Sequence, residues 1–274
     1  MASSSGPPRL DGVVFDIDGV LVDSPHERAW RESLLQLMES DWRELRRRTS
    51  YAPERFTSAF YQEVMAGKPR LAGARAALEA LGVPQAERRA DEYAGRKQRQ
   101  VAELIAAGQF HAYSDALRFL LAVKRAGLLI ASASSSKNAR PMLERIRLDV
   151  FAAEQGLDNP PVREGLTLMD AFDADVTGRD FARGKPDPMI FLAAAAELDL
   201  PPASCVVVED APAGIAAARA GGMVALAVAR HHDAGMLREA GADLVVRSLD
   251  EVNAEALAHG RLEPLRPEGR VEPR

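Results

Sequence analysis

The rhythm of hydrophobic and polar positions changes twice along the chain, and the changes divide it into parts. Gly12–Asp18 (GVVFDID) is a short apolar run, β-branched and aromatic, that ends in acids, the pattern of a buried parallel strand. From His26 to about Gln109 no comparable run occurs. Apolar residues there recur at helical spacing over Ala29–Arg47, Pro53–Met65, Ala72–Leu81 and Gln85–Ala107. Pro53 and Pro84 sit where helix-start prolines belong, and Gly67 and Gly82 fall just past helix ends.

From about Tyr113 helices and strands alternate. Helices are predicted over Asp115–Ala126, Lys137–Arg147, Pro188–Leu198, Ala213–Ala220, Asp233–Ala240 and Leu249–Leu257. Strands are predicted over Leu128–Ala133, Phe172–Val176 (a weak one), Cys205–Val208, Met223–Val228 and Leu244–Val246. Such alternation implies an α/β fold, a Rossmann-like parallel sheet covered on both faces. Its first crossover is interrupted by an all-helical insertion. The expected division is a core of residues 10–25 and 110–258, a helical cap of residues 26–109, and disordered tails at 1–9 and 259–274.

Composition narrows the class without changing that picture. The 274 residues are 47% hydrophobic and 27% charged, as in ordinary globular chains and unlike disordered or collagen-like ones. A net charge of −5 offers no global basic excess for nucleic acid or an anionic membrane, so neither is an expected partner. The single cysteine, Cys205, forms no internal disulfide or cysteine zinc cluster. MASSSGPPRL lacks the apolar stretch of a signal peptide, and a cytoplasmic protein, monomeric or a small homo-oligomer, is expected. Of the 35 basic residues only five are lysines, at positions 68, 97, 124, 137 and 185. In so Arg-biased a chain a lysine is less apt to be surface filler.

Ligands of open α/β sheets bind beyond the carboxyl ends of the strands, so polar residues there carry the most information. The first strand delivers Asp16 and Asp18, and two carboxylates so close are costly without a compensating cation or proton. Leu128–Ala133 runs into a serine-rich turn, Ser132-Ala133-Ser134-Ser135-Ser136, suited to a phosphate at a helix start. Gly184-Lys185-Pro186-Asp187-Pro188 places a lysine just before a helix, and Val206–Val208 leads into the adjacent acids Glu209 and Asp210. Taken singly, these also have bland readings, as acidic turns, a serine cap and a solvated turn lysine. Together they describe a hard-cation site of oxygen ligands beside an anion site, for which magnesium and a substrate phosphate are the expected occupants.

The order of motifs, DIDGV (Asp16–Val20), Ser132, Lys185 in GKPDP and Glu209-Asp210 in VVVEDAPAGI, resembles the haloacid dehalogenase superfamily over about residues 10–255. Within it the chain looks like the β-phosphoglucomutase-like phosphatases with a helical cap. The resemblance implies Asp16 as a nucleophile forming an aspartyl-phosphate, and Asp18 as the acid and base serving the leaving alcohol and the attacking water. It implies a magnesium ion held by Asp16, the Asp18 backbone carbonyl, Asp210 and Glu209, with Ser132 and Lys185 stabilising the transferring phosphoryl group. Ser134 and Asn138 in ASASSSKN, and Lys68 and Arg70 in the cap's Gly67-Lys68-Pro69-Arg70, are the substrate-binding candidates. Arg96 and Lys97 are further cap candidates. Asp18 sets the chain apart from the dehalogenases and phosphonatases, which lack this second acid.

His26 resembles a histidine at the cap entry of the mutase, but the linker is about two residues shorter and His26 is not part of the core expectation. Adjacent His231 and His232 are expected at the surface and Cys205 in a structural place. Ser132 and Lys185 lie roughly twenty positions further apart than the resemblance implies. The excess is placed at Asp149–Asp170, including Asn159-Pro160-Pro161, and is expected as an irregular segment bordering the cap–core cleft and choosing the substrate. The expected function is a magnesium-dependent phosphatase of a small phosphorylated metabolite, a sugar phosphate first. A phosphomutase using the same two aspartates is the alternative, with a receiver-like or noncatalytic phosphoacceptor protein ranked below both.

Overall fold

The computed structural model describes residues 9–157, 162–230 and 233–265. Most of both expected tails, Asn159-Pro160-Pro161, and the pair His231 and His232 lie outside the described residues.

Strand β1 (Gly12–Phe15) leads through the acid-bearing loop to a two-residue strand β2 (Val22–Asp23). Helices α1 (His26–Glu39), α2 (Arg43–Arg46), α3 (Ser58–Val64), α4 (Arg70–Ala80) and α5 (Ala86–Ala106) follow, and β3 (His111–Ala112) closes the insertion. The remainder alternates: α6 (Ser114–Arg125), β4 (Leu129–Ser132), α7 (Ala139–Leu143), α8 (Leu148–Glu154), β5 (Ala174–Asp175), α9 (Met189–Glu197), β6 (Cys205–Glu209), α10 (Pro212–Ala220), β7 (Val224–Val228), α11 (Ala234–Glu239), β8 (Leu244–Val246) and α12 (Ala254–Ala258).

Six strands form one parallel sheet in the order β5-β4-β1-β6-β7-β8. The β-branched runs of β1 and β6 are wholly buried because helices cover both faces, which is what their unbroken hydrophobicity predicts. Alternation of side chains sorts them between two cores. Val13, Phe15, Val206 and Val208 face one, and Val14, Ala131, Val207 and Cys205 face the other. The chain adds β4 and β5 on one side of β1 and then returns to add β6 on the other, so the switch of direction falls at β1 and β6.

The inserted helices share a third hydrophobic core around Trp30, Leu34, Leu37, Trp42, Leu78, Leu81 and Tyr93. Thr57 caps α3 by accepting a hydrogen bond from the Phe60 amide at 3.1 Å. The insertion leaves and re-enters the sheet domain through the antiparallel pair β2–β3, Val22 opposite Ala112 and Asp23 opposite His111. The hydrophobic pattern does not predict this pair, since two residues are too few for any period.

Two expectations change. The 149–170 segment is partly regular: α8 and a 3₁₀ turn at Met169–Ala171 lie in it. Arg147 clasps Asp149 with 2.6 and 2.8 Å contacts, and the Asp149 carboxylate also accepts from the Gly165 amide, tying the segment to its own beginning. Residues 259–265 are not a loose tail either: Val252 bridges Pro264, and the Asn253 amide donates to the Glu263 carbonyl at 3.1 Å.

Candidate active site

The acids emerge where the sheet changes direction. Asp16 follows β1, Glu209 ends β6 and Asp210 follows it, so the three carboxylates come within 4.8 Å of one another, all buried. Two glycines make room for them. A Cβ on Gly19 would fall 2.0 Å from an Asp210 oxygen, and Gly19 also holds a left-handed φ of +86°. A Cβ on Gly214 would fall 1.8 Å from Glu209 Oε1. The other oxygen of Glu209 accepts from the Asp210 and Ala211 amides at 2.9 and 3.0 Å, which fixes the carboxylate at the start of α10.

Lys185 points into this cluster. Its ammonium donates to Asp16 Oδ1 at 2.6 Å and to Glu209, and lies 4.9 Å from the centre of the Phe191 ring. Burial works against its charge, but Asp16 and Glu209 outweigh burial and push the ammonium above its usual range. Burial likewise drives Asp16 up to about 8; Lys185 pulls the other way, while Glu209 and Asp18 add repulsion. Asp210 is pushed up for the same reasons, burial first and then Glu209 and Asp16. One ammonium is not enough positive charge for these acids. Oxygen donors, burial and surplus negative charge together suit a hard divalent cation, so Asp16, Glu209 and Asp210 fit the metal that the sequence implies.

Asp18, half-buried, meets Ser134 Oγ at 3.4 Å through Oδ2 and His26 Nε2 at 3.5 Å through Oδ1. His26 Nε2 is also 3.0 Å from Ser136 Oγ, and its Nδ1 is 3.4 Å from the Lys97 ammonium. Burial, helped by Lys97, pushes the His26 imidazole down to about 4. Burial pushes Lys97 down to about 8, and it stacks 5.0 Å over the Trp30 ring.

A cavity of about 400 Å³ joins these residues to the cap, a volume suited to a small metabolite. Its lining includes Asp16, Asp18, Lys185 and Asp210 from the sheet domain and Trp30, Tyr61, Gln62, Lys68 and Arg70 from the cap. The cap loop is pressed against the core: a Cβ on Gly184 would fall 2.1 Å from the Pro69 ring. Gln98 of α5 bridges the two parts, donating to Asn138 Oδ1 at 3.0 Å while accepting from Arg70.

Asp16, Asp18, Lys185, Ser134, Lys68, Arg70, Asn138 and Asp210 therefore line one cavity, with Glu209 buried beside them. Lys68 donates to the Val64 carbonyl at 2.6 Å. Ser132 is not among the lining residues. It pairs with Phe15 in the sheet, so its side chain shares the face of Phe15 while Asp16 takes the opposite one, and its hydroxyl donates to Asp175 at 2.7 Å. The serines at the cavity are Ser134, Ser135 and Ser136, beyond the strand's end. No described residue of 149–170 lines the cavity, so those residues give the expected bordering role no support; Arg179, Phe181 and Arg183, after β5, line it.

Tyr61 and Gln62 escaped the sequence-based expectation, and His26 entered it only as a resemblance outside the core expectation. His26 starts α1, three residues before the predicted helix, and this early start carries its ring to Asp18 despite the short linker. Tyr61 and Gln62 read in sequence as ordinary positions of an amphipathic helix.

A family model described as haloacid dehalogenase-like hydrolase matches residues 10–222. The β-phosphoglucomutase of Bacillus subtilis is 32% identical over 251 residues, covering 90% of this chain and 94% of that protein. Hexitol phosphatase A of Escherichia coli is 30% identical over 254 residues, covering 92% and 97%. Among solved structures, an archaeal β-phosphoglucomutase from Pyrococcus superimposes with a TM-score of 0.64 at 29% identity, covering 90% of this chain and 96% of that one. Sheet order, strand-end acids and these likenesses agree: the chain belongs to the haloacid dehalogenase-like hydrolases and is an enzyme of the β-phosphoglucomutase-like kind.

Proposed function

We propose that the protein is a magnesium-dependent phosphatase of a small phosphorylated carbohydrate. The observation that carries this reading is the pairing of Asp16, held 2.6 Å from the Lys185 ammonium, with Asp18 two residues on in the same cavity. Asp16 attacks phosphorus and releases the alcohol, which splits one hard displacement into two easier ones through an aspartyl-phosphate. Asp18 gives its proton to the departing oxygen and then takes one from water. Lys185 stabilises charge on the transferring phosphoryl oxygens, and Ser134 beside Asp18 is the hydroxyl best situated to help. Asp16, Asp210 and Glu209, with the Asp18 main-chain carbonyl as the family resemblance implies, would hold Mg²⁺, which when bound neutralises phosphoryl charge. The cap loop over the core excludes bulk water.

The carbohydrate assignment draws on relatives named for hexitol and phosphorylated-carbohydrate phosphatase activities. A mutase reading is favoured by a different observation: Arg70, Gln98 and Asn138 form a polar cluster across the cap–core seam, suited to a second phosphate. Free phosphate measured against glucose 6-phosphate formed from β-glucose 1-phosphate separates the two. In either case Asp16→Asn is expected to lose turnover by on the order of 10³-fold or more. Magnesium-dependent turnover retained in that variant would remove Asp16 from the nucleophile's role.

A further inference from the structure

Cap helix α3 carries Gln62 into the acid cluster, and no role above uses it. The side chain is only 4% exposed and lines the cavity. Its amide nitrogen donates to Asp210 Oδ2 at 3.4 Å. With the nitrogen on that side, the amide oxygen turns away from Asp210. That oxygen is buried and has no hydrogen-bond partner among the described residues. A buried acceptor of this kind is costly unless a donor reaches it.

This orphan is an acceptor, and that decides the chemistry of what meets it. Phosphoryl oxygens at working pH are themselves acceptors and cannot satisfy an amide oxygen. Within a phosphate-ester substrate the donor can come only from the other end, from hydroxyl groups on the alcohol being released. We propose that Gln62 is a specificity residue whose amide oxygen accepts a hydrogen bond from a free hydroxyl of the leaving group, selecting phosphate esters of polyhydroxylated alcohols over those of plain ones. The inference rests on the phosphatase reading and deepens it. Its logic is that of sites built to bond a hydroxyl, which reject analogues lacking one far more strongly than apolar pockets reject a missing methylene.

The test compares the parent enzyme with Gln62→Met, similar in length but without the acceptor, at saturating Mg²⁺. The substrates are a hexitol phosphate and p-nitrophenyl phosphate, whose leaving group has no further hydroxyl. The ratio of their kcat/KM values is expected to fall about tenfold or more in the variant. Monodeoxy analogues of the hexitol phosphate give a second measurement, made on the parent enzyme and independent of how the variant folds. One deoxy position should cost the parent about tenfold, and the same deletion should cost Gln62→Met nothing where that variant folds. Equal losses on both substrates would show that Gln62 acts through Asp210, and an unchanged ratio, or no sensitive deoxy position in the parent, would equally overturn the proposal. A parent that cleaves the aryl ester but no polyol ester overturns this inference and the carbohydrate assignment while sparing the phosphatase reading. A parent that cleaves neither overturns the phosphatase reading and this inference with it.

Discussion

Burial pushes the His26 imidazole down to about 4 from 6.5, with the Lys97 ammonium adding to the effect and Asp18 opposing it. Between those two values the unfolded chain binds the proton and the folded protein refuses it, so stability is full above pH 6.5 and falls as the pH drops towards 4. The expected loss from this residue is about 3 kcal/mol between pH 7 and pH 4. Urea unfolding of the parent and of His26→Gln across that range measures it: the parent should lose about that much more than the variant, and parallel curves would sink the account. The sequence resemblance singled out His26 but left it outside the core expectation, because where a helix begins decides whether a residue near its start reaches a neighbouring loop. Asp16, Asp18, Glu209 and Asp210 were legible for the opposite reason: strand ends and their following turns place them by backbone alone, while Lys185, ten residues past β5, was legible through its GKPDP motif. Ser132 stands between the cases. Its strand was legible, but the face of its side chain depends on register with β1, and the hydroxyl went to Asp175. Lys124, which looked like surface filler, donates to the Ala171 carbonyl and to Asp173 beside edge strand β5.

The longer helices and the inner strands were legible because each repeats a pattern over enough residues, and even β8 was predicted with the bounds it has. By contrast α8 was not predicted, and the helix predicted over Leu249–Leu257 is a 3₁₀ turn followed by the short α12. The elements that join cap to core were not legible either, since β2 and β3 have two residues each. Arg230, just past β7, holds this junction from the side. Its guanidinium donates to the Gly19 and Val20 carbonyls at 3.2 and 3.1 Å and to Asp115 at the start of α6 at 2.9 Å, and stacks 3.9 Å over Tyr113. One side chain thereby ties the loop after Asp16 to the chain returning from the cap. Burial works against the Asp115 carboxyl, yet Arg230 and the Leu249 amide outweigh it and hold the group below its usual range. Arg230→Met leaves that carboxylate buried without its cation and is expected to cost about 3 kcal/mol. Denaturant unfolding checks this, and adding Asp115→Asn should restore part of the loss. If the second substitution restores nothing, the ion pair is not the source.

Across the whole molecule, the acids that make the site are a cost to the fold when no cation is present. Burial, Glu209 and Asp16 all push the Asp210 carboxyl up, so ionising it opposes folding as the pH rises above its usual value of 3.8. The cap adds to this, since Gln62 helps close the cluster from water and little solvent is left to screen the charges. A divalent cation reverses the balance: at a hundred times its dissociation constant it contributes about 2.7 kcal/mol to the folded state. Asp210→Asn therefore pulls in two directions at neutral pH. It should raise the melting temperature of metal-free protein by relieving repulsion, and it should shrink or abolish the upward shift that Mg²⁺ gives the parent. Thermal melts in chelator and in Mg²⁺, run on both proteins, separate the effects without any assay of turnover. An equal Mg²⁺ shift in the two would mean that the ion binds away from Asp210, and the proposed metal site would have to move.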